Sequence, residues 1–447
     1  MAKSKVGERY SISFAIPKVV KEGETPETVV FNDASIHSFL FNEPLNHLPY
    51  GSATIVGPTD STCNPGSGTY GSMIVEGVRP GDPLTLPIYI LAATRSEIGQ
   101  DLASIDLTFI IGTEEMQKHL ESLAIDGTSV EAMNQVFKVA GIEPVDYASA
   151  GKSPGSISDN MTWRLVEGSL DEYLQDIVEH ASIPGDVLYW AYDDAALGYR
   201  IGTFNVSKAA KTKHFFMYTS DAVTTTASAT AKVKGTDTNI WYYSGYIPSD
   251  LAGATREARS PNLIIDSTAT GSAKETGDCT GECWRSILGA MGGDASYMEK
   301  SDFGKQHVVK PFPANTHKTY AIAPFVRSYL LAEYSKMVKV QIFNHPGPAL
   351  GECVHFYAAS AKLRSGDFLP DENYTARYIV VGKRIAKSAE VATGMLGKAR
   401  SENTTNLVTE ITMVSNNGYA GMLSPDYKSV LTLAQSITEK LKKGGTT

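Results

Sequence analysis

The sequence predicts an α+β protein: two β-barrel domains that flank or enclose an α/β domain, followed by a C-terminal helix. Three observations predict it. Short apolar runs broken by Gly/Pro turns fill the first hundred residues and return in the last third of the chain. Between them lies a block with two capping-box helix starts. The chain then closes on a Ser-Pro pair and an apolar-periodic stretch ending in lysines. Frequent turns between short strands are the mark of barrels and sandwiches, whereas helices set between strands mark α/β units.

In the N-terminal part, Val29-Val30-Phe31 and Ile36 to Phe41 are short apolar runs. Pro49-Tyr50-Gly51, Gly57-Pro58 and Cys63 to Gly71 read as punctuation. Thr85 to Leu91 and Ile105 to Ile111 read as strands, the second alternating before it turns wholly apolar. Thr113 then reads as the cap of a helix with Met116, Leu120 and Leu123-Ala124 on one face. Asp126-Gly127 breaks that helix. Thr128 and Glu131 have capping-box spacing and open a helix bearing Ala132, Met133, Val136, Phe137 and Ala140, with Gly141 as its stop.

Ala148 to Asn160 is a loop of small and polar residues, and Met161 to Val166 a strand. Ser169 and Glu172 form a second capping box. The helix behind it carries Leu170, Tyr173, Leu174, Ile177 and Val178, and Pro184-Gly185 ends it. Asp186 to Tyr192 and Gly198 to Phe204 flank a turn at Asp193-Asp194, completing a β-α-β-β unit. Ile240 to Tyr246 is an aromatic strand, read as core or as interface. Residues 247–313 read as a long insertion, an elaborated loop with room for one short helix. Tyr320 to Tyr334 reads as a helix. Met337 to Phe343, Glu352 to Ala358, Tyr374 to Gly382 and Asn406 to Val414 read as strands of a second β-rich region. Ser424-Pro425 suits a helix start, and Asp426 to Lys442 is the C-terminal helix. The expected domains are 1–112, 113–239, 240–422 with the insertion at 247–313, and 423–447.

Composition narrows the function classes. The 447 residues are 42% hydrophobic and 20% charged, which suits a folded chain of several domains. A net charge of −9 argues against a nucleic-acid surface as the main partner. Met1 to Tyr10 lacks the pattern of a signal peptide, and the chain lacks an 18-residue apolar stretch, so a cytosol-like compartment is expected. Cys63, Cys279, Cys283 and Cys353 are too scattered for a disulfide framework. The triplets at Asn160, Asn205, Asn373 and Asn403 would matter only on a secretory route.

Each motif that suggests chemistry stands in the wrong context. Asp146 to Ser153 approaches a phosphate loop, but Asp146 replaces the first glycine and Pro154-Gly155 follows where a helix should start. Gly151-Lys152-Ser153-Pro154-Gly155 has the form of a nucleophile elbow without its strand and helix. Cys279 and Cys283 offer two thiolates to zinc, yet the nearest further candidates, His307 and His317, lie far along an irregular stretch. His119 and His180 sit on amphipathic helices as rim or core residues. Glu114-Glu115 and Asp171-Glu172 complement helix dipoles in first turns. The expectation is no catalytic, cofactor-binding or metal-binding residue, and no cofactor.

Two segments carry a family resemblance. Met161 to Phe204, with Ser169-Leu170-Asp171-Glu172-Tyr173-Leu174 opening its helix, resembles the middle α/β domain of the baseplate and tail hubs of contractile-tailed phages. The hub part of the type VI secretion spike protein belongs to the same family, and Tyr173-Leu174 stands at its Phe-Leu position. Val340-Gln341-Ile342-Phe343, Pro348 to Val354 and Arg377-Tyr378-Ile379-Val380 resemble the second hub barrel, with Ala376 where the family has glycine. The resemblance implies a structural homotrimer that adapts a six-fold tail tube to a three-fold central spike around the ejection channel. It implies tube, spike, tape-measure and wedge or other baseplate proteins as partners. DNA would pass the lumen without specific binding and no membrane would be contacted. The site would be the virion tail baseplate, after assembly in the host cytoplasm. Two other readings stand beside it: a cell-wall hydrolase on a β-rich scaffold, which would release soluble peptidoglycan fragments, and a receptor- or carbohydrate-binding tail protein, which would score in a glycan screen.

Overall fold

The computed structural model describes residues 11–17, 28–58, 66–79, 82–99, 101–112, 114–149, 157, 159–181, 183, 187–193, 198–204, 214–218, 238–239, 242–246, 262–266, 307–311, 334, 336–343, 347–362, 368–371, 373–387 and 407–415. Seven strands form the N-terminal half: β1 (Ser11–Pro17), β2 (Thr28–Phe31), β3 (Ile36–Pro44), β4 (Tyr50–Pro58), β5 (Thr69–Arg79), β6 (Asp82–Glu97) and β7 (Leu102–Ile111). They pair antiparallel in the order β3-β4-β7-β6-β5-β1-β2. Alternation sends one set inward: Ile12, Phe14 and Ile16 from β1, Leu84, Leu86, Ile88 and Ile90 from β6, Ile105, Leu107 and Phe109 from β7. Phe14 meets Phe109 edge-on at 5.4 Å between ring centroids, an arrangement the ring quadrupoles favour. The Pro/Gly punctuation at residues 49–51 and 57–58 brackets a strand, β4. Proline is tolerated at such strand ends because few ladder bonds are lost there.

The middle of the chain holds β8 (Leu123–Gly127), α1 (Ser129–Val139), β9 (Val145–Ser149), β10 (Met161–Leu165), α2 (Leu170–His180), β11 (Val187–Asp193) and β12 (Gly198–Phe204). Both capping boxes form. Thr128 accepts from the Glu131 amide while Glu131 accepts from the Thr128 amide at 2.8 Å, and Ser169 and Glu172 do the same. These hydrogen bonds hold the Glu131 and Glu172 carboxyls below their ordinary range. Gly141 follows the first helix with φ of 75°, the left-handed cap that glycine adopts freely. The helix expected after Thr113 is instead a short 3-10 turn, Glu114–Gln117, and Leu123-Ala124 belong to β8. Met161 and Trp163 on β10 offered β8 an antiparallel partner, and strand pairing outweighed the helical spacing. The β-α-β-β unit is also split. β10 pairs with β8, whereas β11 and β12 form a hairpin with β9 parallel to β12.

The remaining strands are β13 (His214–Tyr218), β14 (Thr238–Asn239), β15 (Tyr242–Tyr246), β16 (Asn262–Asp266), β17 (His307–Pro311), β18 (Lys336–Phe343), β19 (Cys353–Lys362), β20 (Phe368–Pro370), β21 (Ala376–Lys387) and β22 (Val408–Ser415). β16 and β17 pair in parallel inside the insertion. The expected helices at 320–334 and 426–442 fall outside the described residues, apart from Tyr334, as do Cys279, Cys283 and most of 148–160.

The two expected barrels are not present as closed bodies among the described residues. One open sheet of 15 strands runs through both halves. Its joint is β21, whose 12 residues are shared between two partners. Its N-terminal part pairs with β19, its C-terminal part with β3, and β22 lines its other edge. Closure of the N-terminal half on itself would need the outer edge of β3, and β21 occupies it from Phe39 to Pro44. The chain is mostly β, with two α-helices among the described residues.

Candidate functional site at a three-way junction

The two halves and the α/β unit meet where β21 passes from one partner to the other. The pairing of β21 with β22 slips between Val380 and Gly382, a bulge that bends the strand at the transfer. The Leu45 amide donates to Val381 on one side, and the Gly351 amide donates to Val380 on the other. The tight β3–β4 turn then reaches the α/β unit. Asn46, at φ of 60°, donates its amide to the Trp190 carbonyl and accepts from the Trp190 amide through its side chain, at 2.9 and 3.0 Å. Asparagine tolerates that left-handed backbone better than other non-glycine residues. Beside it, His47 lies 3.0 Å from Asp171 in the first turn of α2.

The α/β unit grips the second half at the same place. Arg200 donates to the Leu350 carbonyl at 3.0 Å and forms an ion pair with Asp193 at 3.2 Å, both side chains largely buried. Gly351, at φ of 79°, leaves room for Tyr189: a Cβ there would lie 2.0 Å from the tyrosine hydroxyl. Behind these contacts the rings of Phe137, Trp190 and Tyr199 cluster with centroids 5.6 to 5.9 Å apart, Phe137 stacked on Tyr199 and edge-on to Trp190. Tyr199 donates to Ile111 at the end of β7, and its burial pushes the phenol pKa well up.

Charge is buried along the seam between β3 and β21. Lys383 stands opposite Glu43 in register and meets it at 2.7 Å, each side chain 2% exposed. Lys387 reaches Asp33, in the 3-10 turn Asp33–Ser35, at 3.0 Å. At the far end of β18, buried Lys336 lies 5.8 Å from the centre of the Tyr378 ring. Burial depresses its pKa to about 8, partly offset by Asp371.

Of the residues that suggested chemistry, the structure describes only part. Asp146 to Ser149 lie within β9, so the near phosphate loop starts inside a strand, and residues 150–156 lie outside the described residues. Among the described residues no three His, Cys, Asp or Glu side chains come together as a metal site. His119 is exposed beside Glu167 at 3.2 Å, and His180 is buried against the Asp176 carbonyl. Asp193 ends β11, where the expected hairpin leaves the strand, and bonds Arg200. The aromatic strand is β15, on the outer edge of β18, and its Gly245 carbonyl accepts from Tyr374. Sequence reasoning missed Asn46, Arg200, Lys383 and Lys387, whose partners Trp190, Leu350, Glu43 and Asp33 lie far away in the chain. The nearest thing to a signal was two lysines at the inward positions of a strand.

No family model and no curated protein matches the sequence. Solved structures do resemble the fold. A tail protein from Neisseria meningitidis MC58 matches at 10% identity over 92% of this chain and 100% of its own, with a TM-score of 0.49. The 43 kDa tail protein of prophage MuSo2 from Shewanella oneidensis matches at 10% identity over 92% and 98%, TM-score 0.46. A component of the Escherichia coli type VI secretion system matches at 10% identity over 88% and 77%, TM-score 0.41.

Proposed function

We propose that the chain is a structural, non-enzymatic component of a phage-type tail: a baseplate hub that closes as a trimer around the ejection channel. The observation that carries this reading is the junction. Two β-rich halves share one strand, and an α/β unit clasps the join, in the order that the hub resemblance implies. A body built this way presents two β-rich units in a fixed mutual orientation, so three copies supply six units to a six-fold tube and three-fold contacts to a spike. Outer strands β2 and β14 each have one strand neighbour among the described residues, and Val30 on β2 is exposed. Such edges are templates for pairing that ring closure uses up. The partners are the tube, spike, tape-measure and wedge proteins, the location is the virion tail, and assembly takes place in the host cytoplasm. The division at 112, 239 and 422 describes the parts.

Light scattering coupled to gel filtration tests the reading. The expected result is a species of three times the chain mass, and rings at the tail end in micrographs. A stable monomer at every concentration together with tails lacking such a ring would overturn it.

A further inference from the structure

We infer that the buried ion pairs on β21 act as a register lock, which fixes how the two β-rich halves are joined. Three inward residues of β21, Lys383, Ile385 and Lys387, face Glu43, Phe41 and Phe39 of β3 in turn. Ile385 lies in the same buried cluster as Phe39 and Phe41. A slip of β21 by two residues would keep every side chain on its own face and set Ile385 against Phe39. The apolar pattern therefore accepts two registers. A one-residue slip is already forbidden, because it would turn the whole inward set to the outer face.

The lysines separate the two registers that remain. In the observed one, Lys383 meets Glu43 and Lys387 passes Phe39 to reach Asp33 and its carbonyl. In the slipped one, Lys383 would face Phe41 and Glu43 would lose the ammonium beside it. A buried charge without its counter-charge is strongly unfavourable, so the wrong register is penalised even though the right one gains little. Selecting register at modest cost to stability is the best-attested use of buried polar groups. The lock acts at the one place where the two halves share a strand. A slip there would displace one half along the other by two residues, roughly 7 Å at the rise of a strand. This inference concerns the single chain and stands apart from its oligomeric state.

Cysteine cross-linking reads the register directly. Arg384 faces Asn42 in the observed register and would face Leu40 in the slipped one. Full-length protein carrying Arg384→Cys with Asn42→Cys, or Arg384→Cys with Leu40→Cys, is oxidised, and the linked peptides are identified by mass spectrometry. In the parent background the 384–42 link should exceed the 384–40 link at least tenfold. In Glu43→Leu/Lys383→Met, which removes both charges, the 384–40 link should rise to a comparable yield. In the exchange Glu43→Lys/Lys383→Glu the native link should again dominate. An unchanged 384–42 preference in the apolar variant overturns the inference. If that variant does not fold, the exchange is compared with Lys383→Met alone: rescue of folding and of the native link supports the lock, and no rescue overturns it.

Discussion

Lys336 shows how a single side chain records its surroundings. Its pKa is depressed to about 8, from 10.5, because burial disfavours the ammonium. Below pH 8 it is charged in both folded and unfolded chains, and the folded state bears the full burial penalty. Between pH 8 and 10.5 the unfolded chain binds the extra proton, so stability from this group rises with pH. Lys336→Met should therefore raise stability at pH 7 by on the order of a few kcal/mol and abolish the rise between pH 8 and 10.5, as measured by urea denaturation across that range. Gly351 and Gly141 give a second comparison at this scale. Both have positive φ, 79° and 75°, but only Gly351 has a neighbour where its Cβ would go. Gly141→Ala should cost about 1 kcal/mol, the conformational strain alone. Gly351→Ala should cost clearly more, because Tyr189 must move, and the difference between the two melts isolates the steric part.

At the scale of elements, the two helices were legible because their signals are local. Thr128 with Glu131, and Ser169 with Glu172, act across three residues, and the hydrogen bonds that result are the ones the spacing promised. Ser169→Ala should lower stability by about 1 kcal/mol in chemical denaturation, and Thr128→Ala by a similar amount. Strands were legible where alternation was clean, as in β18 and β7. They were lost where the same spacing suited a helix, as from Thr113 to Ala124. A period read along the chain cannot register that β10 stands ready to pair with Leu123 to Gly127. Asp193, read as the start of the hairpin turn, is the last residue of β11. It pairs with Gly198 across the hairpin, and its carboxylate also forms a largely buried ion pair with Arg200.

For the whole molecule, the junction decides how firmly three units act as one. Arg200 contributes to it twice, through Asp193 and through the Leu350 carbonyl. Arg200→Leu should cost about 3 kcal/mol, since it takes the guanidinium from a buried carboxylate. It should also split the thermal unfolding of the full chain into two calorimetric transitions, because the α/β unit then loosens from the second half. A single transition with unchanged midpoint would show that Arg200 has no part in the coupling.

By itself the sequence determined the β-rich ends, the two capped helices and the alternation of Ile105 to Ile111 and Met337 to Phe343. Each of these depends on residues within a turn or a few alternations of one another. Tertiary structure alone decided that β21 is shared by β19 and β3, that β10 leaves the hairpin for β8, and that Asn46, Arg200, Lys383 and Lys387 find partners on other elements. The physical reason is that strand edges carry the same amide and carbonyl groups whatever their sequence. Which edge meets which is settled by the side chains that become buried together, and those lie up to 354 residues apart, as Lys387 and Asp33 do.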